Sequence, residues 1–323
     1  MRRVLVTGAN GFVGNALCDS LRRSGWQVRA AFRRLTATRH AEIEAVEVGE
    51  ITSQTDWATA LAGVDVVVHA AARAHVLGDS SNHDALYMET NAEGTRRLAE
   101  SCAAAGVRRL VFLSSIKVNG EETADKVAYR PDDSPRPRDV YGRSKWAGEQ
   151  SLASIARMSA LEVVVVRPPL VYGPGVKANF LRLLGVVQRG WPLPIGAVDN
   201  RRSLVSLWNL CDLVERLLSH PGAVGRTWMV SDGEDLSTPE LVRRIGHAMH
   251  RRARLVPVPV PVLRWLGKAS RREAEVARLC GSLCVDIGDT RTRLEWSPPM
   301  EIDEALSRTV EWYLSRKPAH ANG

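Results

Sequence analysis

A short apolar run, Val4 to Val6, leads directly into Thr7-Gly-Ala-Asn-Gly-Phe-Val-Gly14, and this junction restricts the fold more than any other part of the chain. Glycines stand at 8, 11 and 14, and a helical apolar pattern follows at Phe12, Val13, Ala16, Leu17 and Leu21. The order is strand, tight turn, helix. Glycine lets the backbone turn sharply and approach a ligand with no side chain between. The helix amino terminus then offers unpaired N–H groups and a positive dipole end to a pyrophosphate. The spacing is Gly-x-x-Gly-x-x-Gly rather than the commoner Gly-x-Gly-x-x-Gly dinucleotide fingerprint. An ordinary glycine-rich β-turn-α would look similar, but the apolar strand just before the turn favours cofactor binding.

Strand and helix patterns then alternate. The sequence predicts strands at 3–7, 27–32, 45–48, 64–69, 109–114, 162–167 and 227–230. It predicts helices at 12–24, 55–62, 91–105, 140–159, 178–189, 209–219, 238–250 and 302–315. Such alternation implies an α/β fold, a doubly wound parallel sheet with helices on both faces. After residue 170 the pattern is irregular and richer in proline. Residues 1–170 are therefore expected to form a dinucleotide-binding domain, with 203–231 returning to it. Residues 171–202 and 232–316 are expected to form a smaller carboxyl-terminal substrate-binding lobe, and 317–323 a disordered tail. Val256-Pro-Val-Pro-Val-Pro-Val262 reads as an extended edge or connection, because proline lacks the ladder donor.

The candidate chemistry lies in Tyr141-Gly-Arg-Ser-Lys145. On a helix this spacing puts a phenol and an ammonium on one face, one turn apart. A nearby cation favours the phenolate and lowers its pKa from about 10, which makes a proton donor or acceptor usable near neutrality. Taken alone, such a pair is usually a solvated helix face. A second segment strengthens it: the buried strand Leu110 to Leu113 ends in Ser114 and Ser115. Ligands in open parallel sheets bind outside the carboxyl ends of the strands, so a serine there can hydrogen-bond a substrate oxygen beside Tyr141. It could also simply cap the next turn.

Composition excludes several classes. No apolar run approaches the ~18 residues that span a bilayer, so no membrane partner is expected. The opening residues are too short and glycine-interrupted for a secretory signal, which implies the cytoplasm. Five cysteines at 18, 102, 211, 280 and 284 show no metal-like spacing and read as reduced packing thiols. No metal is expected. The net charge of +8 is carried by scattered arginines without aromatic interleaving, which argues against nucleic acid.

Thr7 to Gly14, Ser114-Ser115, and Tyr141 with Lys145 together resemble the extended short-chain dehydrogenase/reductases, and within them the nucleotide-sugar epimerase/dehydratase group. His69-Ala-Ala-Ala72, Asn91 within Tyr87 to Gly94, and Arg167-Pro-Pro-Leu-Val-Tyr-Gly-Pro174 recur in the right order. The resemblance implies a Rossmann fold. It implies Ser115, Tyr141 and Lys145 as catalytic residues, with Ser115 preferred to Ser114. It implies a cofactor held by Gly8, Asn10, Gly11, Phe12, Val13, Arg33, Arg34, Glu50, Ile51, Ala70, Ala71, Ala72, Asn91, Tyr141, Lys145 and Pro168. Asn179 and Arg202 match the family residues that contact a substrate diphosphate, and Ser115 the residue on its reacting oxygen. Arginine suits a phosphate because it forks onto two oxygens. A homodimer through helices near 91–105 and 140–159 is a further family expectation.

The cofactor is NADP or NAD. NAD-binding members place an acid at the end of the second strand. Here Phe32 falls about where that acid would stand and Arg33 and Arg34 follow, which favours a 2′-phosphate and hence NADP. NAD remains open if Arg33 stacks on adenine. The resemblance implies hydride transfer at C4 of a UDP-hexose or UDP-N-acetylhexosamine. A 4-epimerase leads, and an NADPH-dependent 4-ketoreductase making a 6-deoxy-N-acetylhexosamine for surface polysaccharide is the alternative. Ile116 and Lys117 stand where the 4,6-dehydratases carry Asp-Glu, which disfavours dehydration. A non-catalytic NADP-sensing protein would usually lack the Tyr or the Lys.

Overall fold

The computed structural model describes residues 2–35, 43–74, 83–123 and 127–316. The expected disordered tail at 317–323 lies outside the described residues. Ten strands are described: β1 Arg3–Thr7, β2 Gln27–Phe32, β3 Glu44–Glu47, β4 Val66–His69, β5 Arg109–Leu113, β6 Glu162–Arg167, β7 Leu170–Tyr172, β8 Arg202–Ser206, β9 Thr227–Met229 and β10 Asp235–Leu236. Seven build one parallel sheet in the order β3-β2-β1-β4-β5-β6-β9. This is the doubly wound α/β arrangement, with its switch point between β1 and β4.

Successive side chains of a strand point to opposite faces, and the core follows that rule. Val4 and Val6 face the helices Phe12–Arg23 and Leu207–Ser219. Leu5 faces the helices Gly94–Ala104 and Val140–Met158. Near-continuous runs such as Val66 to Val68 and Val163 to Val166 suit strands covered on both sides. The register pairs Thr7 with His69 and His69 with Phe112. The segments that leave β1, β4, β5 and β6, carrying Gly8, Ala70, Ser114 and Pro168, therefore line one edge of the sheet.

A second sheet, β10-β8-β7, begins the smaller lobe. Tyr172, Phe180, Leu184, Leu204, Leu241, Ile245, Ile302 and Leu306 form its core, and Phe12 packs against it from the glycine turn. Residues 203–231 divide between the two parts. β8 joins the second sheet, while the following helix covers the first and β9 pairs with β6.

The proline-rich stretch differs from the sequence expectation. It is extended only to Pro259, and Val260–Ala269 is a helix with Pro261 in its first turn. Proline is tolerated there because that N–H has no intrahelical acceptor. The helix expected at 91 begins earlier, as His83–Met88, a π-helical turn Glu89–Glu93, and then Gly94–Ala104.

Candidate active site

Asp139 starts the helix that carries the central pair. Its Oδ1 accepts the Gly142 N–H at 2.7 Å, an N-cap worth about 1 kcal/mol. Its Oδ2 takes an ion pair from Lys117. Burial raises the Asp139 pKa, but the Lys117 ammonium and the Gly142 N–H outweigh it and hold the carboxyl below its ordinary value. Lys117 and Ile116 thus have structural roles: Lys117 braces the helix start, and Ile116 packs with Met229, Leu283, Val285 and Ile287.

In the first turn of this helix, the Tyr141 phenol lies beside Ser115. Tyr87 meets its ring edge-on at 6.4 Å. Burial and then the Asp139 charge push the phenol up to about 12, with the Ser115 hydroxyl opposing them. The expectation that Lys145 lowers this pKa is therefore corrected for the free protein. Lys145 is itself buried, and desolvation brings its pKa down to about 7 against the pull of Glu149. An amine near 7 carries only part of a charge at neutral pH.

Lys145 Nζ lies 4.0 Å from the centroid of the Phe112 ring. It is buried and has no hydrogen-bond partner among the described residues. Because the unfolded chain keeps this proton to about 10.5 and the folded chain releases it near 7, the unfolded state binds more protons between those values. Stability of the free protein should then rise with pH across that window. Lys145→Met should flatten the rise, read by denaturant melts at a series of pH values. An unchanged slope would show that the ammonium is not held as described.

A buried network supports the helix from behind. Glu149, one turn beyond Lys145, accepts two bonds from Arg167, at 3.0 and 2.5 Å. It also accepts the Ser114 hydroxyl, so Ser114 is engaged away from the phenol and Ser115 is the serine beside it. Arg167 donates on to Asn119 at 2.9 Å, and Asn119 to the Arg130 carbonyl at 3.2 Å. None of Glu149, Arg167 or Asn119 stood among the sequence candidates, although Glu149 continues the four-residue spacing from Tyr141 and Lys145.

His69, also unforeseen as a working residue, organises the loop after β4. Its Nδ1 meets Thr7 Oγ1 at 2.7 Å and its Nε2 meets Thr95 Oγ1 at 3.0 Å. Thr95 donates to the Asn91 carbonyl, so it can only accept from His69. The ring proton is thus assigned to Nε2, and Thr7 donates to Nδ1 while accepting the Ala71 N–H. Burial and the neighbouring Lys145 bring the imidazole down to about 3, so it stays neutral.

The expected cofactor residues are spread along the same sheet edge, and several are occupied. Gly11 N–H donates to the Gly8 carbonyl at 2.8 Å. Gly8 has φ +68°, and a Cβ there would come within 2.7 Å of Ala71 Cα. Asn10 and Ala72 are exposed, and Ala70 and Val13 pack on the main core. Pro168 accepts the Ile116 N–H at 3.0 Å. Asn91 sits in the π-helical turn and holds both the N–H and carbonyl of Arg73 and the Ser144 hydroxyl. Its side chain thus ties the loop after β4 to the helix Val140–Met158. Ile51 packs where Gly94 has no Cβ. Arg34 is exposed, and Arg33 forms a 3.1 Å ion pair with Glu50, both side chains 67% exposed.

The substrate candidates lie in the second lobe. Asn179 is exposed in the first turn of the helix Ala178–Arg189. Arg202 donates to the Arg278 and Gly281 carbonyls at 2.7 and 3.0 Å, and burial lowers its pKa. Arg202 thereby holds the carboxyl end of the helix Glu273–Cys280.

The residues fit a nicotinamide dinucleotide. The helix behind the glycine turn has no side-chain cap and no acid in its first turn, which leaves N–H groups for a pyrophosphate. The unpartnered Lys145 ammonium suits a ribose hydroxyl. A parallel sheet with this turn at its switch point and Tyr-x-x-x-Lys on the adjoining helix defines an extended short-chain dehydrogenase/reductase.

Comparison with known proteins narrows the class. The model of the NAD dependent epimerase/dehydratase family matches residues 4–231. The chain is 42% identical over 316 residues to a UDP-glucose 4-epimerase of Vibrio cholerae, covering 97% of this chain and 96% of that one. It is 26% identical over 261 residues to an N-acetyl-alpha-D-glucosaminyl-diphospho-ditrans,octacis-undecaprenol 4-epimerase of Escherichia coli O157:H7, covering 80% and 76%. Among solved structures, MoeE5 in complex with UDP-glucose and NAD matches with a TM-score of 0.76 at 27% identity, covering 96% and 98%. The chain belongs to the NAD dependent epimerase/dehydratase family. It is an NAD-dependent enzyme of the epimerase and oxidoreductase type.

Proposed function

We propose that the protein is a UDP-sugar 4-epimerase that inverts C4 of a UDP-hexose or UDP-N-acetylhexosamine with the cofactor regained at the end of each cycle. The observation that carries this reading is the Tyr141 phenol beside Ser115 at the strand end, one helical turn from the buried Lys145 amine, which has no hydrogen-bond partner among the described residues. The Vibrio cholerae relative supports the reaction and MoeE5 the nucleotide handle.

When bound, NAD supplies the hydride acceptor and a positively charged ring. Tyr141 Oη takes the proton of the sugar C4 hydroxyl and returns it after the sugar has turned. Ser115 Oγ holds the same oxygen, and Lys145 Nζ holds a cofactor ribose hydroxyl. Asn179 and Arg202 belong to the proposal as diphosphate contacts, which requires Arg202 to leave its helix-end carbonyls.

NAD fits better than the NADP favoured by the bare arginines. Glu50 neutralises Arg33, and its carboxylate would oppose a 2′-phosphate. A homodimer through Gly94–Ala104 and Val140–Met158, and a cytoplasmic setting suited to the buried free thiols Cys18, Cys102, Cys211 and Cys284, complete the proposal.

The test is incubation with UDP-glucose, UDP-GlcNAc and a 4-keto-6-deoxy UDP-sugar, with NAD or NADPH. Interconversion at C4 without net cofactor consumption is expected. NADPH loss matched to reduction of the keto sugar would replace the epimerase reading with a reductase.

A further inference from the structure

Arginines are scattered along the whole chain, but elsewhere acids nearly offset them, whereas residues 251 to 280 of the second lobe hold eight Arg and Lys against two Glu. The same stretch leaves apolar side chains in solvent. In the helix Val260–Ala269, Leu263 and Gly267 are buried against the lobe. Val262, Trp265 and Leu266 are 45, 67 and 47% exposed. Their i, i+3, i+4 spacing puts them on one outward face, and Lys268 and Arg264 follow beside it on the Trp265 side. Single exposed apolar residues are ordinary, but a grouped Trp, Leu and Val mark an interaction surface. Where the stretch begins, a cavity of about 490 Å³ is lined by Arg243, His247, Arg251, Arg252, Ala253 and Leu255.

We infer that this face docks on an anionic lipid bilayer. Trp265, Leu266 and Val262 enter the boundary between headgroups and acyl chains, and the surrounding arginines and lysines meet lipid phosphates. An amphipathic helix with Trp and Leu on one side and basic residues beside them has the composition of an interfacial helix. Charge decides between occupants. A two-fold contact with a second copy would set this positive stretch against its own twin, whereas anionic headgroups complement it. No helix among the described residues is long and apolar enough to cross a membrane, and surface docking needs none. The expectation of no membrane partner, which rested on the missing span, does not extend to this mode.

The experiment is co-sedimentation of the full chain with phosphatidylcholine vesicles and with mixed phosphatidylcholine–phosphatidylglycerol vesicles, at low and high salt. Binding to the anionic vesicles at least about tenfold tighter than to neutral ones, weakened by salt, is expected. Trp265→Ser with Leu266→Ser should lower that binding about tenfold, and Arg264→Glu with Lys268→Glu should remove the preference for anionic lipid. Unchanged thermal melting would show that the variants fold, and both pairs are solvent-facing. Absence of vesicle binding, equal binding of wild type and both variants, or self-association lost in the Trp265 variant by light scattering would each overturn the inference.

Discussion

Tyr141→Phe is expected to lower C4 epimerisation by about 10³-fold while NAD affinity stays within about twofold, the loss being that of one positioned general acid–base. The substitution removes a single oxygen. The ring keeps its edge contact with Tyr87 at 6.4 Å. Ser115 keeps the Lys117 N–H on its hydroxyl at 3.2 Å, so the strand end holds its shape. What disappears is the group that carries the C4 hydroxyl proton. Because burial and Asp139 put the phenol near 12 in the free protein, it stays protonated until the bound cofactor's positive charge acts on it. Steady-state rates with UDP-glucose, beside fluorescence titration with NAD, separate the two effects. A variant retaining more than about a tenth of the activity would remove this tyrosine from proton transfer.

The largest expected effect on stability is at Arg167. Arg167→Met should cost about 3–5 kcal/mol in denaturant unfolding, the range for breaking one partner out of a buried ion pair. Both side chains are almost fully buried, and Arg167 holds Glu149 through two hydrogen bonds. Methionine fills part of the volume but leaves the Glu149 carboxylate with only Ser114. The freed carboxylate should pull on Lys145, whose pKa Glu149 raises. The damage should therefore reach activity as well as stability. A loss below about 1 kcal/mol, in the range of an exposed pair, would mean that the pair is solvated in solution.

Much of the fold was legible because the signals were local. The strand of Val4 to Val6, the glycine turn, and the four-residue spacing of Tyr141 and Lys145 are set by neighbouring residues and by elementary periodicity. The strands Gln27–Phe32 and Glu162–Arg167 lie at the expected residues, the second built around the apolar run Val163 to Val166. The helix Val260–Ala269 was hidden because proline excludes a central strand but permits a helical first turn, and sequence pattern alone does not choose between a connection and a helix start.

The support of the site was less legible because its partners are distant in sequence. Glu149 meets Arg167 from another element, and His69 joins Thr7 to Thr95 across three. Arg33 read as a phosphate ligand because its partner, Glu50, comes from the segment beyond the next strand. The pKa order of Tyr141 and Lys145 also required burial, which outweighs the pairwise charge that the spacing suggests.

The most direct measurement of the central claim uses UDP-glucose deuterated at C4. If Tyr141, Ser115 and Lys145 hold the sugar so that its C4 hydrogen leaves and returns inside a closed site, the epimer should carry the deuterium at C4 and form more slowly than from unlabelled sugar. Deuterium lost to water, or epimer formed with no isotope effect in single turnover, would contradict transfer at that carbon.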